Sequence, residues 1–147
     1  MSFKGVMTSL KALLENDPQL SAFCIEKWGK PLTVEIMYKE KAELSLQHLP
    51  KILITRPDVK KDFLIGGQKQ GIHTIRLYAG FRQSDKGKGA EELIEFEEKI
   101  DDALTTPNPW DVGNALDIRP TESVNDEGKW HPEYFLVMEV AITHDRN

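Results

Sequence analysis

The chemistry open to this chain is read first from His48, His73, His131, His144 and the single cysteine, Cys24. No two histidines stand three or four residues apart and no HExxH occurs, which excludes the two-histidine helical zinc site. His131-Pro132-Glu133 matches the His-x-Glu opening of a zinc deaminase, but that site also needs a Pro-Cys-x-x-Cys pair downstream, and no cysteine follows. There is no GxSxG elbow to expose a nucleophilic serine. Asp85-Lys86-Gly87-Lys88-Gly89 lacks the GxxxxGK[ST] spacing of a phosphate loop and runs into a strongly acidic helix that repels phosphate, so it reads as a flexible linker. Cys24 falls inside an apolar helical stripe and is expected to be a buried thiol without activation. His73 is expected to open a strand and His144 to close one, both as surface or strand-end groups. No cofactor and no metal is expected.

Two further groups of residues hold more information. Glu139 stands among Val137 and Ala141 on the second face of an apolar strand, where a carboxylate must be near an edge, paired, or at an interface. Pairing to a basic group of this or a neighbouring chain is the favoured reading. Trp110 and Trp130 sit in loops rich in proline and acidic residues; they either fold back as local plugs or anchor protein–protein contacts. With the outward strand residues Arg76, Tyr78 and Arg82, they make Arg76, Tyr78, Arg82, Trp110, Trp130 and Glu139 the candidate partner interface. A rival reading gathers His73, Arg76, Tyr78 or Glu139 into a small-ligand or catalytic cleft, and a third makes the chain a regulatory interaction module.

The elements that must position these residues follow from hydrophobic periodicity. Val6, Leu10, Leu13 and Leu14 give one apolar face to a helix over about Phe3–Leu14. Asp17 as N-cap and Pro18 in the first turn open a second helix, whose stripe is Leu20, Phe23, Cys24 and Trp28; Gly29 and Pro31 end it. Alternation predicts a strand at Thr33–Tyr38, and Lys51–Thr55 a short one closed by a turn at Arg56-Pro57-Asp58. In Ile72–Gln83, Ile75, Leu77, Ala79 and Phe81 share one face, and Thr74, Arg76, Tyr78 and Arg82 the other. A helix over about Ala90–Leu104 buries Leu93, Phe96, Ile100, Ala103 and Leu104 and turns Glu91, Glu92, Glu95, Glu98 and Asp102 outward. Ala115–Pro120 is expected as a strand, Thr121–Pro132 as a long polar loop, and Tyr134–Thr143 as a last strand apolar on both faces, hence mid-sheet or at a subunit contact. The order α-α-β-β-β-α-β-β predicts an α+β fold, a mostly antiparallel sheet with helices on one face.

At 147 residues, 39% hydrophobic and 29% charged, the chain fits a single domain over 1–147 with its own core, and its one cysteine permits no internal disulfide. Two lysines interrupt the N-terminus before any apolar run forms, and the longest largely apolar stretch, Tyr134 to Met138, is far short of a membrane span. A cytoplasmic protein without a membrane partner is expected. The net charge of −5 hides a division: residues 1–84 carry +5, whereas 85–105 and 106–147 carry −5 each. Basic and acidic parts of one chain can attract copies of each other. Lys51, Arg56, Lys60 and Lys61 form only a modest basic cluster with no accompanying motif, which argues against nucleic-acid recognition.

The helical start with Asp17-Pro18-Gln19-Leu20, the central strands, the Ala90–Leu104 helix and the closing Tyr134–Thr143 strand together resemble the phage and prophage tail-terminator proteins, of the minor tail protein U-like or Mu-type kind. The resemblance rests on element order, length and texture over most of the chain. It implies a non-enzymatic α+β protomer that forms a homo-oligomeric ring, a hexamer, on the end of the tail tube. Such a ring stops tube growth and meets the head connector. It implies assembly in the bacterial cytoplasm, a final place in the virion tail, and no catalytic residues. Loops at Lys39–Leu49, Lys86–Gly89 and Thr121–Pro132 are the expected contacts with tube or connector proteins.

Overall fold

The structure, a computed structural model, describes residues 3–36, 49–65, 68–107, 112 and 115–145. The expected contact loop over 39–48, the Gly66-Gly67 pair and Trp110 lie outside the described residues. The elements run α1 (Phe3–Asn16), α2 (Pro18–Trp28), β1 (Thr33–Ile36), β2 (Lys51–Ile65), β3 (Gln68–Arg82), α3 (Lys86–Thr105), β4 (Ala115–Asn125) and β5 (Glu133–Asp145). One five-stranded sheet has the order β1-β2-β3-β5-β4, with β1 parallel to β2 and every other pair antiparallel. The fold is therefore α+β, in the predicted element order.

Local chemistry sets the helix ends. The Asp17 carboxylate accepts from the Leu20 amide at 2.8 Å, satisfying one of the free N–H groups of the first turn, and Pro18 occupies a position where no N–H is needed. Gly29 closes α2 at φ 68°, the left-handed conformation that glycine adopts without strain. The stripes Val6, Leu10 and Leu14 of α1, Leu20, Phe23 and Cys24 of α2, and Leu93, Phe96, Ile100 and Leu104 of α3 are all buried against one face of the sheet. That face carries Val34, Ile52, Ile54, Ile75, Leu77, Ala79, Phe81, Leu136, Met138 and Val140 in register. An aromatic column runs through this core: Phe81 stacks on Trp28 on one side and on Tyr134 on the other, at centroid distances of 4.4 and 5.3 Å.

Several expectations are corrected. Arg56-Pro57-Asp58 is not a turn: β2 runs on to Ile65, and between Thr55 and Asp58 it carries one residue more than β3. That bulge admits Pro57, which has no ladder N–H to offer. Asp85-Lys86-Gly87-Lys88-Gly89 is not a linker, because Asp85 caps α3 by accepting from the Lys88 amide at 3.1 Å and the glycines fall in the first turn. Thr121–Asn125 belongs to β4 and pairs with β5, so the connecting turn shrinks to residues 126–132. Its polarity reflects an exposed stretch of edge strand, not a loop. Glu92 does not face outward but is 6% exposed, and His73 is neither at a strand start nor at the surface: it lies within β3 on the core side, 5% exposed.

Candidate functional site

The opposite face of the sheet is the surface on which the sequence-predicted residues meet. Alternation sends Arg76, Tyr78 and Arg82 of β3 away from the helices, and the register places them opposite Glu139, Val137 and Glu133 of β5. Arg76 Nε donates to Glu139 Oε1 at 3.0 Å, and Arg82 Nη1 stands 3.7 Å from Glu133 Oε1. Six residues separate the two pairs along β3, about 20 Å of strand. Between them run the pairs Tyr78–Val137 and Gly80–Phe135. The Phe135 ring lies so close over Gly80 that a Cβ there would stand 2.6 Å from its Cδ1. The centre of this face is thus an apolar stripe closed at each end by an arginine–glutamate pair.

Arg76 and Glu139 are 42% and 30% exposed, so the pair is wet and contributes little to folding. The hydrogen bond to Glu139, and after it one to Tyr78, raises the guanidinium further above its ordinary value, so the charge is fixed at every physiological pH. Arg76, Tyr78, Val137 and Glu139 are joined by Glu122 and Val124 of β4 around a shallow groove of about 280 Å³. Glu139 therefore finds its basic partner within its own chain, as the favoured reading of that position required.

Of the four residues of the rival reading, Arg76, Tyr78 and Glu139 meet in this open groove and His73 does not. His73 projects to the core side of β3, whereas Arg76, Tyr78 and Glu139 share the other side, with the sheet between them. Arg82 is on the open face but outside the groove, and Trp130, 63% exposed, stands in the turn before β5. His131 Nδ1 and the Tyr134 hydroxyl lie 2.7 Å apart. Burial first, and then Asp126, Asp85 and Glu92, pushes the Tyr134 phenol up, which keeps it neutral.

Sequence reasoning missed Glu92. Its carboxylate accepts from Trp28 Nε1 at 2.8 Å and from Gln83 Nε2 at 2.9 Å, tying α2, the end of β3 and α3 together. The only signal available in the sequence was its adjacency to Leu93 at the margin of the apolar stripe. Cys24 is buried as expected, and burial pushes its thiol up to about 12, leaving no thiolate for chemistry. No group of three or more His, Cys, Asp or Glu among the described residues is placed to hold a metal ion, and no described helix is long and apolar enough to cross a membrane. Compared with known proteins, the chain matches no family model and no curated protein sequence.

Proposed function

We propose that this chain is a non-enzymatic assembly protein of the tail-terminator type, whose copies join into a ring through the β3-β5-β4 part of the sheet face opposite the helices. The observation that carries this reading is the set of half-buried apolar residues Tyr78, Phe135 and Val137 beside the exposed Val124, framed by charged pairs, on the face opposite the described helices, whose β2 side (Lys51, Leu53 and Thr55) is buried. A ring needs a heterologous contact, in which one patch meets a different patch on the next copy. On this face Glu139 and Glu133 are paired with Arg76 and Arg82, and Glu122 of β4 adds an exposed carboxylate. The end of α2 offers a counterpart, with Lys27 and Lys30 beside Ile25, itself 55% exposed. In this reading the basic first half of one copy meets the acidic strands of its neighbour. The ring, a hexamer by the tail-terminator resemblance, caps the tail tube and presents a surface to the head connector. It assembles in the bacterial cytoplasm and ends in the virion tail.

The contact is tested by placing a charge in the stripe. Val137→Asp lies on a half-buried position of the open face, so it leaves the helical core intact. Light scattering is expected to find the variant at the monomer mass of 16.8 kDa under conditions where the parent chain is oligomeric. An oligomer of unchanged mass in the variant overturns the assignment of this face.

A further inference from the structure

A cavity of about 730 Å³ lies between the first half of α3 and the turn that joins β4 to β5. Its lining is graded by depth. Leu93 and Tyr134, 6% and 3% exposed, form the floor, and the neutral Tyr134 hydroxyl is already engaged 2.7 Å from His131 Nδ1. Lys86 and Ile94 of α3 and Glu127 and Lys129 of the turn are exposed and form the rim. The floor thus carries no charge, and the rim carries two cations against one carboxylate. That balance is opposite to its surroundings, because residues 85–147 hold 6 lysines and arginines against 16 acidic residues. Two of those six meet here from positions 43 residues apart, and neither is in an ion pair among the described residues. The turn is held by its own hydrogen bonds. The Lys129 amide donates to the Asp126 carbonyl at 3.0 Å, the His131 amide to the Gly128 carbonyl at 3.1 Å, and Asp126 Oδ1 accepts from the amides of Gly128 and Phe135. The wall that carries Lys129 is therefore preformed.

We infer that this cavity binds a small organic anion, its apolar body on Leu93, Ile94 and the Tyr134 ring and its carboxylate held at the rim between Lys86 and Lys129. The volume falls in the range of small-molecule sites, about 300–1,000 Å³, and an apolar interior with a few polar groups at fixed places is their usual make-up. Charge selects the head group. Two ammonium groups without carboxylate partners attract an anion and repel a cation, and a neutral analogue forgoes both contacts. Depth selects the body. Leu93 and the Tyr134 ring have no hydrogen bond to offer, so a polar body is desolvated there without compensation, whereas an aliphatic chain or fused aromatic ring gains from leaving water. A bare inorganic anion reaches the rim but leaves the floor unused. The cavity shares no lining residue with the groove on the opposite face of the sheet, and the inference does not rest on the ring contact.

The probes are naphthoate and octanoate, set beside the neutral naphthylmethanol, the cation naphthylmethylammonium and inorganic phosphate. Isothermal titration calorimetry of the full chain reads binding per protomer, whatever the oligomeric state. Saturable binding of the two organic anions is expected, with a dissociation constant of about 1 mM or tighter. The alcohol, the ammonium and phosphate are each expected to bind about tenfold more weakly or not at all. Lys86 and Lys129 are exposed, so Lys86→Gln/Lys129→Gln keeps the fold; it is expected to weaken naphthoate about tenfold and leave the alcohol unchanged. Ile94→Asp, which sets a carboxylate into the apolar wall, is expected to weaken both anions, whereas Lys99→Gln, on the same helix but outside the lining, leaves them unchanged. No saturable binding of either anion, equal binding of naphthoate and the alcohol, or undiminished binding by the double variant overturns the proposal.

Discussion

Glu92 shows how much one side chain can hold. Its carboxylate is the acceptor for both Trp28 and Gln83, so truncation leaves two donors without their partner in a buried place. Glu92→Ala is expected to lower the unfolding free energy by about 2–3 kcal/mol in urea titration, whereas Glu92→Gln, whose amide oxygen still accepts from Trp28 Nε1, loses markedly less. Equal losses in the two variants would show that side-chain volume, not the hydrogen bonds, carries the effect. Cys24 makes a prediction about pH. The thiol's value in the folded chain, about 12, lies above its ordinary 9.0, so the native state holds the proton more tightly than the unfolded chain. That contribution is complete below pH 9 and is lost as pH rises toward 12. Urea unfolding at about pH 8 and about pH 10.5 is expected to show a steeper loss of stability in the parent chain than in Cys24→Ala. Parallel losses would contradict it. The burial of Cys24 was readable from its place in a helical stripe; that of Glu92 was not, because its two donors come from positions 64 and 9 residues away.

At the scale of elements, the contact between α3 and β5 turns on Gly89. A Cβ there would lie 2.2 Å from the Tyr134 ring, which is held by stacking on Phe81 and by His131. In an exposed helix Gly→Ala stabilises by up to about 1 kcal/mol. Here Gly89→Ala is expected to destabilise by about 1–3 kcal/mol, measured by urea or thermal unfolding, because the rigid ring must move. A gain in stability would show that Tyr134 is free to give way. This glycine was legible in the sequence only as part of an apparent linker. Helix starts and the alternation of β3 were readable because capping and period-two patterning act locally, as Asp17 and the Ile75–Phe81 series show. The long course of β2 and β4 was not. Proline and polar residues signal turns in isolation, and only the neighbouring strand reveals Pro57 beside a bulge and Pro120 at one. In β4, the edge strand, that proline and bulge are features that keep an edge from pairing with another sheet.

On the scale of the whole molecule, charge and layering agree. The helices bury one side of the sheet and leave on the other an apolar stripe between ion pairs, while the acidic wall of α3 borders a groove on the helical side. The division of charge along the chain, +5 in residues 1–84 against −5 in each later segment, puts the acidic excess on α3 and the strands that follow it. The candidate residues Arg76, Tyr78 and Arg82 were legible as one outward set because a strand keeps every second residue on one face. Their cross-strand partners were not, since register is set by long-range pairing that no local pattern encodes.

The central claim is that copies of this chain close into a ring. Size-exclusion chromatography with light scattering, at high protein concentration and at low and moderate salt, tests it directly. The account predicts a mass that is a fixed whole-number multiple of 16.8 kDa, constant over a wide concentration range as a closed ring requires, with partial dissociation as salt screens the basic–acidic contact. A single species at 16.8 kDa under every condition would contradict it.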